Sequence, residues 1–225
     1  MSGPTVGGPS SSGATRVEDE EEIEETPLEQ LTRHWMNERH APDLLPRQEV
    51  LLASLLDHIH RQTNIINTLR SDPRSSEDEH LRIMLVQTEI ERVKFMVNSY
   101  TRTRLFKIEK YARFIVTDEF MQTRLTAGEL NHATRFAAMT DRHFRMSVLQ
   151  SLPEPQSHLD DEPIFMPSMI TQPDKTKPVF VRARRHCPPI RLKDGTALEM
   201  SKGHISLLPF DVVEDLILRG DVELV

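Results

Sequence analysis

The longest unbroken helical period in the chain runs over residues 77–116, and it limits what the rest can fold into. Ile83, Val86, Ile90, Val93, Val97 and Tyr100 recur at alternating steps of three and four. The same steps continue onto Arg104, Lys107, Tyr111 and Phe114. The stripe is therefore apolar, turns basic for one heptad inside SYTRTRLFKIEK (99–110), then becomes aromatic. A helix of about 40 residues spans ~60 Å at 1.5 Å per residue, more than a small domain covers by itself. Two readings of the basic heptad stay open. A straight helix drifts about 20° per heptad against such a repeat, which would hand part of the buried face to Leu105 and Ile108. Alternatively, the heptad marks a seam at which a second chain supplies carboxylates to Arg102, Arg104 and Lys107. Arginine's planar fork suits such interface pairs.

Shorter helices surround this one. Thr26-Pro27-Leu28-Glu29 carries a cap, a proline suited to the first helical position and a capping-box acid. Leu28, Leu31 and Trp35 follow at helical spacing, and Ala41-Pro42 ends the run. Pro46 opens a second helix to about Arg70, with Leu52, Leu55, Leu56, Ile59, Ile66 and Leu69 as its stripe. Ser75 and Ser76 each have an acid three residues on, so a cap also opens the long helix. Thr126-Ala127-Gly128-Glu129 is a further capping box and starts a helix to about Leu152. Four helices with short connections predict a bundle over 26–152.

Past Leu152 the pattern changes. Residues 153–176 form a proline-rich linker. From 177 to 225 the period is two: Val179-Phe180-Val181 and Ile190-Arg191-Leu192 read as strands, and Asp194-Gly195 is a hairpin turn signal with Thr196–Met200 returning. Pro209 opens a short helix closed by Gly220, and Asp221–Val225 reads as a last strand. The expected class is mainly α, an N-terminal helical bundle with a small C-terminal β-rich domain. A unit of about 50 residues is marginal alone and should lean on another surface.

Charge is placed unevenly. Residues 16–30 hold eight acids and one arginine, seven net negative charges, which equals the net charge of the whole chain. The remainder is neutral, which favours a subunit over a free monomer and argues against nucleic-acid binding over the whole surface. Residues 1–25 read as a disordered acidic tail. Alternatively, Ile23, Leu28 and Leu31 could anchor a docking helix between acidic flanks. No apolar run is long enough to span a membrane, and the single Cys187 leaves no internal disulfide, which suits the cytosol or nucleus.

Catalytic signatures are missing: no phosphate loop, no HExxH and no GxSxG. His58 and His60 are two apart on a helix and point in different directions, and His186-Cys187 lacks zinc spacing. The expectation is a non-enzyme without cofactor or metal. The basic stretch 175–193, above all Arg182, Arg184 and Arg185, is a candidate for at most a weak DNA contact. A free-standing helical DNA-binding protein using this hairpin is the rival reading.

Several segments resemble one family. Trp35-Met36-Asn37-Glu38-Arg39 with Ala41-Pro42-Asp43-Leu44-Leu45 is similar to the opening motif of the Sld-five-type subunits of the eukaryotic GINS complex. So are Glu91-Arg92 with Ser99-Tyr100, Arg102, Arg104-Leu105 and Lys107–Lys110, and so is Leu125-Thr126 with Glu129-Leu130. Val179–Arg182 and the ending Leu216-Ile217 through Gly220–Val225 match more weakly. The resemblance covers about 30–225. It implies a helical A domain, a β-rich B domain and a heterotetramer with three related subunits, the Psf-one type closest. It implies a nuclear, non-catalytic scaffold that joins the MCM ring and its Cdc-forty-five partner as the replicative CMG helicase in initiation and elongation of DNA replication. In some members the acidic tail contacts a replisome hub of the Ctf-four/AND-one type. The residues expected at subunit interfaces are Trp35, Met36, Tyr100, Arg102, Arg104, Lys107, Ile108, Tyr111, Val222 and Leu224.

Overall fold

Side-chain caps set the starts of three of the helices. The computed structural model describes residues 25–71, 76–153, 157–159, 170–192, 195 and 197–225. Thr26, Ser76 and Thr126 each accept from the backbone N–H three residues on, and Glu29, Glu79 and Glu129 each return the bond. They open α1 (Pro27–His40), α3 (Glu77–Lys110) and α6 (Ala127–Ser147). Helix α2 (Glu49–Arg70) has no side-chain cap and starts later than Pro46. The long helix breaks at Tyr111, whose ψ of 16° leaves the helical range and whose hydroxyl donates to the Pro42 carbonyl at 3.0 Å. Two short helices follow, α4 (Ala112–Thr117) and α5 (Glu119–Thr123), the second capped by Asp118. Helix α6 stops at Ser147 and a single 3-10 turn, Leu149–Ser151, completes the expected span to Leu152.

Helices α1 and α2 both pack on α3. Leu31, Leu55, Val97 and Tyr100 form one cluster, and Ile59, Ile66, Ile83 and Ile90 form a second, farther along the α2–α3 pair. A third joins Leu44, Ile108, Tyr111, Ile115, Met121, Leu125 and Ala133. The α3 stripe keeps its steps except at Val86, which is exposed: Arg104 and Lys107 lie on the buried face directly after Tyr100. The drift reading is half right, because Ile108 is buried while Leu105 faces out. On α2, Leu56 and Leu69 are exposed instead of buried; beyond Leu55 the buried side of that helix is Ile59 and Ile66, packed with Ile83 and Ile90 of α3.

The C-terminal part contains β1 (Pro178–Ala183), β2 (Cys187–Arg191), β3 (Ala197–Met200), β4 (Ile205–Pro209), α7 (Phe210–Arg219) and β5 (Val222–Leu224). Strand β1 sits between β4 and β5, antiparallel to both, and β2 pairs with β3. Strand β4 was not anticipated. It is too short to show a period, and its last residue, Pro209, reads locally as a helix opener. Of the expected turn, Asp194 and Thr196 lie outside the described residues, while Gly195 has a φ of 85°. Gly220 ends α7 at φ 78°. Cys187 is buried, and burial pushes its thiol up.

This unit does lean on the bundle. Its core includes Ala41 and Leu45 from the α1–α2 connection. Val222 and Leu224, offered above as subunit contacts, are 0% and 2% exposed in that core. The Leu224 N–H donates to Asn37 Oδ1 at 2.8 Å, so α1 pairs with the free edge of β5. Replacing Asn37 by Ala strands that buried donor. The variant should lose about 1–3 kcal/mol in urea unfolding, with the far-ultraviolet spectrum unchanged.

Candidate functional site

The basic heptad of α3 meets the α1–α2 connection inside the chain. All five N–H donors of Arg104 are taken. Nε and Nη2 reach the two Glu129 oxygens at 2.8 and 3.2 Å, Nη1 reaches Glu38 Oε2 at 3.1 Å and the Leu45 carbonyl at 2.8 Å, and Nη2 also reaches the Arg124 carbonyl at 3.1 Å. Lys107 Nζ donates to Glu38 Oε1 at 3.0 Å, to the Asp43 carbonyl at 2.8 Å and to the Glu38 carbonyl, three acceptors for three protons. Arg124 binds Asp43 Oδ2 at 3.1 Å and reaches across to Glu214 of α7 at 2.6 Å. Lys175, just before β1, closes the set on Asp43 at 3.2 Å and Glu214 at 2.9 Å. Four carboxylates thus face four cations. Glu38 and Asp43 are 1% and 0% exposed.

The titration behaviour follows. Burial opposes the charge on Arg104, yet the Glu129 hydrogen bonds and the Glu38 charge hold its pKa above the ordinary value. Burial opposes ionisation of Glu129 too, but the Arg104 fork wins and its pKa lies low. Glu214 behaves likewise under Arg124 and Lys175. At Lys107 burial prevails over Glu38 and the pKa is lowered. Burial also lifts the neighbouring Tyr100 hydroxyl to about 12.

This arrangement corrects the seam reading. The carboxylates expected from a second chain come from Glu38 and Glu129 of this one. Tyr100, Arg104, Lys107, Ile108 and Tyr111 are buried within the chain. Arg102 is exposed, and Trp35 and Met36 are half-buried, with Trp35 Nε1 donating to Thr103 Oγ1 at 3.2 Å. Leu31 is likewise corrected as a docking anchor: it is 0% exposed against Leu55, Val97 and Tyr100. Leu28 is half-buried, and Ile23 lies outside the described residues. Each arginine offered for phosphate already meets an acid: Arg182 binds Glu223, Arg184 binds Glu25, and Arg185 lies 3.6 Å from Asp221.

What the sequence reading missed is the outer surface of the α2–α3 pair. Its seam is one line of isoleucines, and on either side Ile65, Leu81, Met84, Leu85 and Val86 are 40–63% exposed. Phe95 and Phe106 extend this surface along α3, at 62% and 69% exposure. Met84, Phe95 and Phe106 are eleven residues apart, about three turns, so they share one face opposite the buried stripe. That second ladder was present in the sequence but hidden behind the more regular first one. Among the described residues no group of three His, Cys, Asp or Glu side chains is placed to hold a metal, and no helix is long and apolar enough to cross a membrane.

Removing one member of the buried cluster leaves its partners charged and dry. Glu38→Gln should cost about 3–5 kcal/mol in chemical unfolding, and Arg104→Glu should prevent folding altogether. Acid tests members of this cluster and, separately, His34 of α1. His34, pushed down to about 4 by burial, with Arg33 and Arg184 adding to the shift and Glu25 opposing it, stays neutral where the unfolded chain protonates. Stability from His34 is therefore lost as pH falls from about 6.5 towards 4. That from Glu129 and Glu214 is lost below about 4.5. Melting curves from pH 7 to pH 4 should fall in both windows, and His34→Gln should flatten only the upper one.

Comparison with known proteins places the chain. A family model described as the GINS complex protein helical bundle domain matches residues 58–147, and one described as the DNA replication complex GINS protein SLD5 C-terminus matches residues 173–225. The protein "DNA replication complex GINS protein sld5" of Schizosaccharomyces pombe is 34% identical over 89% of this chain and 92% of its own length. The proteins of that name from Homo sapiens and Arabidopsis thaliana are 27% and 29% identical, over 91% and 88% of this chain and 93% and 90% of their own lengths. The helical bundle followed by a small sheet unit, locked by Glu38, Arg104 and Lys107, belongs to the SLD5 family of GINS proteins.

Proposed function

We propose that the chain is a non-catalytic structural subunit of a heterotetrameric GINS complex. In this reading it acts in the nucleus, in initiation and elongation of DNA replication. It forms part of the scaffold that joins the MCM ring and its Cdc-forty-five partner as the replicative helicase, with a Psf-one-type subunit as nearest neighbour. The printed names of its relatives, DNA replication complex GINS proteins, support the replication role. The observation that carries the subunit reading is the α2–α3 pair. A two-helix hairpin that buries one isoleucine seam and leaves Ile65, Leu81, Met84 and Leu85 in water is half of a bundle. Exposed apolar area on this scale marks an interaction surface. Trp35, Met36 and Arg102 lie near enough to the surface to contribute.

The acidic tail fits a second role, contact with a hub of the Ctf-four/AND-one type. The cations beside its last described residue, Arg33 and Arg184, are both bound to Glu25. The rival DNA-binding reading has less support, because Arg182, Arg184 and Arg185 are each neutralised locally.

The deciding measurement is mass in solution, for the chain alone and after co-expression with three other GINS-type subunits. A particle with one copy of each bears the reading out. A monodisperse monomer that ignores them refutes it. Leu81→Lys with Leu85→Lys should weaken assembly by about 2 kcal/mol or more, roughly thirtyfold. Both sites are exposed, so the isolated chain should melt within about 0.5 kcal/mol of wild type.

A further inference from the structure

Beside the buried cluster, with Lys107 common to both, a groove of about 490 Å³ opens at the C-terminal end of α3. Arg39, Arg102, Lys110 and Lys177 line it together with the apolar surfaces of Pro42 and Phe106, and no carboxylate does. We propose that this groove receives an acidic segment of a partner subunit that carries a bulky apolar side chain. The proposal rests on the subunit reading and names the chemistry of one contact.

Three observations carry it. First, among the described residues the cations form no ion pair, although Asp174 lies near enough to Lys177 to feel its charge. Two other exposed cations of α3 are paired locally, Arg92 on Glu89 at 2.6 Å and Lys94 on Glu91 at 2.9 Å. Arg39, Arg102, Lys110 and Lys177 make no ion pair within 4.0 Å among the described residues. Arg39 and Lys110 instead lie over the Trp35 and Tyr111 rings, at 5.7 and 5.1 Å. Second, the four come from three separate segments: the end of α1, α3, and the residue before β1. The fold therefore gathers like charges around one concavity, which costs free energy unless a counter-charge arrives. Third, the groove holds Phe106, 69% exposed, on the same α3 face as Phe95 and Met84, so it continues the apolar surface of the helical hairpin. Carboxylates would answer the rim and an apolar side chain would cover Phe106. A phosphate backbone would answer the rim alone and leave the apolar lining wet.

The test uses the four-subunit complex. Phe106 is replaced by the photoreactive p-benzoylphenylalanine, the purified complex is irradiated, and the cross-linked peptide is sequenced. The expected product joins Phe106 to a partner-subunit peptide with at least two Asp or Glu near an apolar residue. In parallel, Arg102→Glu with Lys110→Glu should weaken assembly at least tenfold while the isolated variant melts as wild type. Cross-links confined to this chain or to a second copy would overturn the proposal, as would wild-type assembly of the charge-reversed variant. So would Phe106 cross-linking only to an added single-stranded DNA oligonucleotide. If the unsubstituted chain forms no complex at all, the subunit reading has failed and this contact falls with it.

Discussion

Glu38 is the carboxylate on which the molecule closes. One oxygen takes Lys107 and the other takes Arg104, while Leu45 N–H approaches the same side chain at 3.3 Å. Burying three such charges is costly unless every donor finds an acceptor, and here every donor does. Loop 41–48 is thereby held on α3 as it leaves α1. That loop then supplies Leu44 to one core and Ala41 and Leu45 to another. Without the charged lock neither core would have its wall.

The lock also explains how a marginal sheet unit is held. Asp43, fixed from the loop side, shares Arg124 and Lys175 with Glu214 of α7. In the same unit, Asn37 holds the β5 edge through Leu224 N–H. These polar contacts, together with Arg184 on Glu25 and one shared apolar core, fasten the C-terminal part to the bundle. The polar contacts fix its orientation, which apolar contact alone does with less directionality.

What remains outside the lock is the working surface. The inner face of α3 is spent on its own chain, and the outer face, from Met84 through Phe95 to Phe106, is exposed. A subunit of the proposed kind needs this division. Its fold must be settled before its partners arrive, and its partner surface must not compete with its core.

Much of this was legible beforehand. Capping boxes at Thr26, Ser76 and Thr126 are local chemistry, as are the helical stripe and the switch to period two after the prolines. The two motifs that resembled the GINS family, WMNERHAPDLL and SYTRTRLFKIEK, were visible as separate strings. The sequence by itself determined which residues would cap, which face of α3 would be buried, and which family the chain resembles. It did not determine that Arg104 and Lys107 pair with Glu38, 66 and 69 residues away. Charges on an apolar stripe indicate only that acids must come from somewhere; whether from this chain or another depends on which loop reaches the helix. The placement of β4 and the gathering of Arg39, Arg102, Lys110 and Lys177 into one groove were likewise tertiary decisions. Long-range contacts are selected by the whole packed arrangement, and no local period encodes them.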